Sequence, residues 1–297
     1  IIPKKDGTIS INGRKFRGKI DIIRTKDGLL SVINFIDVED YLKGVLYHEV
    51  SHMWPIEVLK AQAIVSRTFA LYQKAHSKNL DYDLTSDIYS QVYGGKTSEK
   101  YVTNKAIKLT EGEILTFDGK IFPTYFHATC GGRTEDSGNL WKMNLGPLEG
   151  VYCTFCKESP HFNWNFEIPL SRLQEKLSKT YVDISNIISI TINSRNASGR
   201  IDNLTIITAS GKLLVSGKDL RELIGPNNLR STNFDIEISK GLVKFKGIGW
   251  GHGVGMCQWG AYGMAKKGIK VDEILKFYYP GSIIEKMDLS TKSLKEK

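Results

Sequence analysis

Residues 47–72, YHEVSHMWPIEVLKAQAIVSRTFALY, decide the fold of the chain. Pro55 is typical of the first turn of a helix, and the apolar or small residues that recur after it predict a helix packed closely on its neighbours. Lys60 and Arg67 are seven residues apart, so two helical turns bring both cations to one stripe beside that face. From periodicity alone, a solvated basic face is the simpler interpretation of this stripe.

The segment before this stretch predicts a small β-meander and then a helix. Strands are expected at 9–11, 19–24 and 29–35, separated by turns at Asn12-Gly13 and Asp27-Gly28. Asp37 predicts the N-cap of a helix that ends at Glu49. A carboxylate at that end faces the negative pole of the helix dipole, which favours its protonated form. Glu49 is therefore a candidate acid catalyst.

The segment after this stretch begins with DYDLTSDIYSQVYGG at 81–95, whose turn formers predict an exposed loop of the kind that lines sites. A helix at 98–109 and strands at 113–117 and 121–127 follow, the strands joined by an Asp118-Gly119-Lys120 turn. Residues 163–240 then alternate between predicted helices, at 170–176 and 218–224, and predicted strands, at 187–193 and 201–208. We interpret 163–240 as an inserted smaller α+β domain.

The fold class that these patterns predict is α+β, with mixed helices and antiparallel strands around a cleft. The core is expected to comprise 1–162 and 241–290, interrupted by the insert at 163–240. Residues 291–297 are expected to form a polar tail.

A glycine-rich motif, GIGWGHGVGMCQWGAYGMAKKG, occupies 247–268. In an extended segment its alternate glycines fall on one face, where a second backbone or a ligand can come close. It is not a phosphate loop, because the spacing differs and the Lys-Ser/Thr ending is absent. Trp250, Trp259 and Tyr262 are either sugar-stacking platforms or core residues. His252 is the polar side chain that we single out.

The composition is that of a globular protein of 297 residues, with 41% hydrophobic residues and a net charge of +9. This charge favours an anionic partner, but no block of five Lys and Arg occurs and no nucleic-acid-binding motif is present. No run of eighteen apolar residues occurs. Because the sequence begins with Ile1 and not with Met, we expect a trimmed fragment, and a membrane contact only through a removed N-terminal anchor.

His48, Glu49 and His52 form H-E-x-x-H, which on a helix is the zinc-protease arrangement. The residue before Pro55 disfavours helix, so the motif runs into a break. The extended form of the motif also fails, because Pro55 and Val58 occupy two of its required positions. A zinc protease remains the third of our hypotheses.

Four blocks of sequence resemble the SpoIID/LytB family, the group of stage II sporulation protein D and amidase enhancers. They keep the family's order and span most of the chain. The blocks are EVSHMWPIEVLKAQAIVSRTFAL from Glu49, SQVYGG from Ser90, FHATCGGRT from Phe126 and GWGHGVGMCQWGAYGMA from Gly249.

The resemblance implies a lytic transglycosylase that cleaves peptidoglycan between N-acetylmuramic acid and N-acetylglucosamine, leaving 1,6-anhydro ends. Glu49 falls on the position of the single acid/base. Lys60 and Arg67 fall on positions implied to bind substrate or organise the cleft. The positions implied to line the cleft are Gln91, Tyr93, His252 and Gln258. An acid active at neutral pH needs a raised pKa, so we expect Lys60 and Arg67 to bind substrate without approaching Glu49 closely.

The family's other name gives an alternative of a different class, a non-catalytic peptidoglycan-binding module that enhances an amidase. Either hypothesis implies glycan strands as ligand, a cell-wall amidase as partner and an extracytoplasmic location, anchored or secreted. In sporulating bacteria the resemblance implies a role in engulfment. No cofactor is expected for catalysis.

His127, Cys130, Cys153 and Cys156 have the ligand types and pair spacing of a structural zinc site, with His161 as a substitute ligand. A disulfide and reduced thiols are the alternatives. Some relatives carry cysteines just before the Q-V-Y block, where they form a metal site. This chain has other residues at those positions, so the same metal site is not expected here. Cys257 is interpreted as a small packing residue.

Overall fold

The computed structural model describes residues 1–4, 7–79, 81–87, 90–182 and 184–287. They form two compact units. The first holds Ile1–Tyr125, Gly268–Lys276 and the described residues from Gly281 on, and the second holds Phe126–Lys267 and Phe277–Pro280. The predicted tail at 291–297 and the loop residues 88 and 89 lie outside the described residues.

Helices and strands alternate in small groups along the chain. The α-helices are α1 (Val38–Glu49), α2 (Ile56–His76), α3 (Tyr101–Leu109), α4 (Ser137–Trp141), α5 (Leu170–Ser178), α6 (Gly217–Ile224), α7 (Gln258–Lys266) and α8 (Val271–Tyr278). The strands are β1 (Ile9–Ile11), β2 (Arg14–Phe16), β3 (Lys19–Arg24), β4 (Leu30–Phe35), β5 (Glu113–Phe117), β6 (Lys120–Ile121), β7 (Phe126–His127), β8 (Asn163–Pro169), β9 (Ile187–Arg195), β10 (Ile201–Thr208), β11 (Gly211–Ser216), β12 (Phe234–Ser239), β13 (Leu242–Ile248), β14 (Met256–Cys257) and β15 (Ile283–Lys286).

The first unit begins with two hairpins, β1–β2 and β3–β4. Asn12 and Gly13 both have positive φ, 49° and 77°, as a tight hairpin turn requires. Asp37 caps α1 as predicted, because its side chain accepts a hydrogen bond from the Glu39 N–H at 2.8 Å. At the other end α1 stops at Glu49, since Val50 is extended.

Three helices form the core of this unit. Leu42 and Leu46 of α1 pack with Ala63 of α2 and Ile107 of α3, and all four are almost completely buried. The small side chain of Ala63 allows the helices to approach closely. The packing fixes α1, whose last residue is Glu49, against α2 and α3.

A third sheet of this unit has the order β15-β5-β6. The strand predicted at 121–127 is instead divided into β6 and β7, with irregular chain between them. Pro123 lies in the gap, and a proline cannot donate the N–H that a continuous ladder needs.

The second unit contains two antiparallel sheets, β12-β13-β8 and β11-β10-β9, over one apolar core. Phe245 of β13 pairs with Ile236 of β12 and with Phe166 of β8. The boundary expected at 240/241 therefore runs through a sheet. The difference arises because residues 242–248 return to pair with 163–169, which local sequence patterns do not reveal.

The glycine-rich segment after β13 is not extended. Gly249, Gly251, Gly253 and Gly255 have φ between 70° and 110°, where residues with a side chain are strained. Their alternation is therefore a conformational requirement. A Cβ on Gly249 would lie 2.7 Å from the Thr129 carbonyl oxygen, so a second backbone does come close, as predicted.

Backbone hydrogen bonds hold this segment to three distant parts of the unit. The N–H groups of Gly249, Trp250 and Gly251 donate to the carbonyl oxygens of Phe162, Thr129 and Arg230, each at 2.8 Å. The segment is thus fixed by chain that lies far away in the sequence.

The predicted mixed α+β class is confirmed. Among the strand pairs of the described residues, β14–β7 is parallel and the others are antiparallel. No helix in the described part of the chain combines the length and hydropathy that a bilayer span needs.

Candidate active site around Glu49

Glu49 is the last residue of α1 and is half-buried. The backbone N–H of Val92 donates to Glu49 Oε1 at 3.2 Å. Val92 belongs to the SQVYGG block, so the structure brings the first two of the four sequence blocks together at this carboxyl group.

Burial raises the pKa of Glu49 to about 7, although the hydrogen bond from Val92 opposes the rise. The position at the C-terminal end of α1 acts in the same direction as burial. A carboxyl group with this pKa has comparable protonated and ionised populations at neutral pH. It can therefore donate a proton in one step of a reaction and accept one in the next.

A hydrogen-bonded group of polar side chains lies beside Glu49. The Tyr41 hydroxyl donates to Gln91 Oε1 at 3.1 Å, and Gln91 Nε2 donates to the Ser66 carbonyl oxygen at 3.4 Å. The Tyr93 ring packs on that of Tyr41 with centroids 5.2 Å apart, and its hydroxyl donates to Asn34 Oδ1 at 3.0 Å.

These contacts make Gln91 and Tyr93 supporting residues. Only 1% of Gln91 and 8% of Tyr93 is exposed, and the cleft-lining roles implied for them stay predictions. Tyr41 was not singled out from the sequence, although it lies about two turns before Glu49 on α1. Burial, and after it the Glu49 carboxylate, raises the pKa of Tyr41, which keeps its hydroxyl protonated.

Arg67 is a structural residue. It is fully buried, and its Nε and Nη2 donate to Glu39 Oε1 and Oε2 at 2.6 and 2.8 Å, while Nη1 donates to the Glu113 carbonyl oxygen at 2.9 Å. Glu39 also accepts from the Gly112 N–H at 3.2 Å. Arg67 therefore ties α1 to α2 and β5 out of reach of a ligand, which contradicts a direct substrate contact but not the alternative implied role of organising the cleft.

Lys60 is half-buried, and its Nζ lies 3.1 and 3.2 Å from the two carboxylate oxygens of Glu57. Its ammonium group is less enclosed than the Arg67 guanidinium. The two cations of the predicted stripe thus have carboxylate partners of their own, Glu57 and Glu39. The expectation that neither cation closely approaches Glu49 stays a prediction.

The H-E-x-x-H motif does not lie on one helix. Glu49 ends α1 and Val50 is extended, so His48 and His52 are not presented one turn apart on a common face. His48 Nε2 instead lies 2.7 Å from Ser98 Oγ. The helical geometry that the zinc-protease hypothesis needs is absent from this described segment.

The raised pKa of Glu49 predicts a pH-dependent stability. The Glu49 carboxyl group keeps its proton up to about pH 7 in the native state, but only up to about pH 4.5 in the unfolded chain. Its contribution to the free energy of unfolding is therefore complete below about pH 4.5 and is lost as the pH rises through about 7. Above that range we expect Glu49→Gln to raise the free energy of unfolding by about 1–3 kcal/mol over the wild type.

Urea unfolding of both proteins at about pH 5 and about pH 9 measures this difference. Glu57→Gln is the matched control, since it makes the same change at a carboxylate whose pKa is lowered, chiefly by the Val271 N–H and Lys60, which together outweigh burial. An equal stability difference for Glu49→Gln at both pH values would contradict the raised pKa.

His252 and Gln258 lie in the second unit. The Val254 N–H donates to His252 Nδ1 at 3.1 Å, and the His252 ring packs against Trp141 and His127. Burial, with Arg221 and Arg200 next, lowers the pKa of His252 to about 3, so its imidazole is neutral. Gln258 begins α7 and is 7% exposed. Their predicted substrate contacts stay predictions.

The four cysteines are free and buried in the second unit. Their Sγ atoms all lie within 4.8 Å of one another; the group comprises Cys130, Cys153, Cys156 and Cys257. Cys257 is therefore not an isolated packing residue. The parallel β14–β7 pair sets Cys257 directly opposite His127, which brings it beside the segment that carries Cys130.

The two histidines of the predicted metal site are outside this sulfur group. His127 Nδ1 lies 3.1 Å from the Val254 carbonyl oxygen. The His161 ring contacts that of Trp250 edge-on, with centroids 4.5 Å apart. The metal site expected from spacing stays a prediction, and the sulfur that lies with those of Cys130, Cys153 and Cys156 is that of Cys257.

Comparison with known proteins gives matches to two family models. A model of the stage II sporulation protein family matches residues 26–117, which include Glu49 and Val92. A model of a domain of unknown function matches residues 153–255.

Individual proteins match over most of the chain. Stage II sporulation protein D of Bacillus subtilis is 30% identical over 275 residues, which cover 85% of this chain and 76% of that protein. An uncharacterised protein of Brachyspira hyodysenteriae is 36% identical over 283 residues, or 95% and 75% of the two chains. The amidase enhancer of Bacillus subtilis is 27% identical over 291 residues, or 82% of this chain and 40% of that protein.

Proposed function

The chain belongs to the stage II sporulation protein D family, and from that premise we propose that it is a lytic transglycosylase of peptidoglycan with Glu49 as its acid/base. The observation that carries the proposal is the Glu49 carboxyl group, whose pKa of about 7 suits proton transfer in both directions. Its place at the end of α1, beside the SQVYGG block, joins the motifs on which the resemblance rests.

In the first step protonated Glu49 gives its proton to the glycosidic oxygen between N-acetylmuramic acid and N-acetylglucosamine. The bond from the muramic C1 to that oxygen breaks, and C1 develops positive charge. The Glu49 carboxylate formed in this way is next to the electron-poor sugar, which it stabilises.

In the second step the carboxylate takes the proton of the muramic C6 hydroxyl, and O6 bonds to C1. The product is a 1,6-anhydro ring, no water is consumed, and Glu49 is again protonated for the next turnover. Hydrolytic glycosidases need a second carboxylate to activate a water or to attack C1, but here the substrate supplies the nucleophile. One carboxyl group therefore suffices.

The other carboxylates of α1 and early α2 are suited to structural roles. Glu39 pairs with Arg67, Asp40 with Lys43 and Glu57 with Lys60. Each of them has a cation as its partner, whereas burial raises the pKa of Glu49 to about 7. This difference supports the assignment of the acid/base to Glu49.

The test is product analysis of glycan strands, both intact and stripped of stem peptides, after incubation with the purified protein. Products should be lighter by one water than hydrolysed strands and should resist borohydride, because an anhydro end has no free reducing group. In water enriched in heavy oxygen they should gain no label, whereas a hydrolytic muramidase run in parallel should label its products. Labelled products would refute transglycosylation.

The similarity to an amidase enhancer supports a second candidate, a peptidoglycan-binding module that stimulates a cell-wall amidase without cutting glycan. Its prediction is that the protein alone releases no product from either strand preparation, yet sediments with insoluble peptidoglycan and raises the rate of an added amidase. Under this candidate Glu49→Gln should leave the stimulation unchanged.

We place either function in cell-wall remodelling outside the cytoplasm, in a sporulation-related setting with a cell-wall amidase as partner. The net charge of +9 favours an anionic cell-wall polymer as ligand. The names of the relatives support this setting.

A further inference from the structure

We propose that Cys130, Cys153, Cys156 and Cys257 bind one zinc ion as a closed tetrathiolate site. The four sulfurs come from three separate parts of the second unit: the turn after β7, the segment at 153–156 and strand β14. They converge on one point, with every Sγ within 4.8 Å of the others and Cys130 Sγ 3.4 Å from Cys156 Sγ.

This spacing fits tetrahedral coordination. Zinc binds thiolate sulfur at about 2.3 Å, which sets the four sulfurs about 3.8 Å apart. A disulfide needs its two sulfurs at about 2.05 Å and joins them only in pairs. A common centre for all four sulfurs therefore favours an ion over two separate bonds. Burial of all four closes the site to solvent, as is typical of structural zinc.

Hydrogen-bond donors surround the sulfurs in the way that a thiolate site requires. Backbone N–H groups and a hydroxyl lie within hydrogen-bond range of three of them, and such contacts fix and stabilise metal-bound thiolates. The pairs are Cys130 N–H to Cys257 Sγ at 3.2 Å, Gly260 N–H to Cys257 Sγ at 3.3 Å, Gly132 N–H to Cys130 Sγ at 3.4 Å and the Tyr278 hydroxyl to Cys153 Sγ at 3.2 Å.

A buried cation offsets part of the negative charge of the site. Four thiolates around one divalent ion leave two negative charges in the interior, where uncompensated charge is costly. Arg200 is 1% exposed, and its Nη2 donates to the Cys130 carbonyl oxygen at 3.0 Å. The carboxylate of Glu135 reaches it through Ser198, whose hydroxyl donates to Glu135 Oε2 and accepts from Arg200 Nη1.

Gly253 supports this placement of Arg200. Its φ is 93°, and a Cβ there would come within 2.5 Å of the guanidinium carbon. The glycine therefore makes room for a cation that is fully buried beside the sulfur group. The Glu135 carboxylate and the cysteine sulfurs both favour the charged form of this guanidinium, Glu135 more strongly.

The first experiment measures metal in the wild-type protein, purified without chelators or a metal-affinity tag and analysed by plasma mass spectrometry. We expect one zinc per chain. Replacement by cobalt should give the intense sulfur-to-cobalt absorption of four thiolates together with the visible bands of a tetrahedral ion. The four thiols should react with a thiol reagent only after the metal is removed.

Two variants separate the proposed ligand set from the one expected by spacing. Cys257→Ser should lower zinc affinity by at least an order of magnitude and weaken the sulfur-to-cobalt band. His127→Asn keeps a donor near the Nδ1 position for the Val254 carbonyl oxygen and removes the Nε2 ligand atom. This variant should retain one zinc and an unchanged cobalt spectrum.

Several results would overturn the proposal. A metal-free wild-type chain that is lighter by two hydrogens for each disulfide would replace the zinc site with disulfides, and iron at one equivalent would exclude zinc. Loss of metal in His127→Asn but not in Cys257→Ser would restore the histidine to the site. If Cys257→Ser does not fold, the cobalt spectrum of the wild type decides, since a spectrum of fewer than four thiolates contradicts the site.

Discussion

Glu49→Gln should lower the rate of glycan-strand cleavage by about 10²–10⁴-fold, the usual contribution of a positioned general acid/base. The amide has the shape of the carboxyl group but neither donates a proton to the glycosidic oxygen nor takes one from the C6 hydroxyl. The fold should be retained, because the Val92 N–H can donate to an amide oxygen as it does to Glu49 Oε1. Release of anhydro-muramic ends, followed by mass spectrometry, measures the rate.

The pH dependence of the wild type gives an independent measurement of the same group. Since only protonated Glu49 can begin the reaction, kcat/KM should be level below about pH 7 and fall about tenfold per pH unit above it. Glu57→Gln, the matched amide substitution on α2, should keep both the rate and the profile within a few-fold. Anhydro ends released by Glu49→Gln at the wild-type rate would disprove the assignment.

Arg67→Met should lower the free energy of unfolding by about 3–5 kcal/mol, because it leaves the buried Glu39 carboxylate without its bidentate partner. The Glu113 carbonyl oxygen loses a donor as well. Chemical denaturation followed by circular dichroism measures the change. Lys60→Met is the control, since its ion pair with Glu57 is more exposed and should contribute less than about 1 kcal/mol.

A second substitution tests whether the lower free energy of unfolding of Arg67→Met comes from the unpaired Glu39 carboxylate. Glu39→Gln combined with Arg67→Met removes both charges, so the double variant should be more stable than Arg67→Met alone. If Arg67→Met instead unfolds like the wild type and raises KM for glycan strands, Arg67 contacts substrate after all.

Features set by neighbouring residues could be predicted from the sequence. The Asn12-Gly13 turn, the Asp37 cap and the end of α1 at Glu49 depend on backbone preferences within a few positions. The sequence also predicted the carboxyl group of the candidate site, because helix end and family motif coincide there. Its raised pKa needed the structure, since burial depends on packing across the whole unit.

Features that depend on distant partners were missed or misassigned. Arg67 and Lys60 share a helical stripe, yet Arg67 is fully buried and Lys60 is only half-buried. The difference arises because Arg67 forms a buried ion pair with Glu39 of α1. Cys257 was separated from the other thiols because only the parallel pairing of β14 with β7 brings it to them. Helical periodicity and short motif spacings contain no information about such pairings.

The left-handed glycine segment after β13 has a consequence for the kinetics of folding. Glycines sample the largest conformational space in the unfolded chain, so ordering four of them at alternate positions is entropically expensive. The hydrogen bonds that offset this loss of entropy come from residues as far away as Thr129. The next residue, Cys130, donates to Cys257 Sγ, which is 127 positions away in the sequence. Contacts of such high sequence separation form slowly. In pulse-labelled hydrogen exchange during refolding, the Trp250 amide should therefore be among the last in its unit to gain protection.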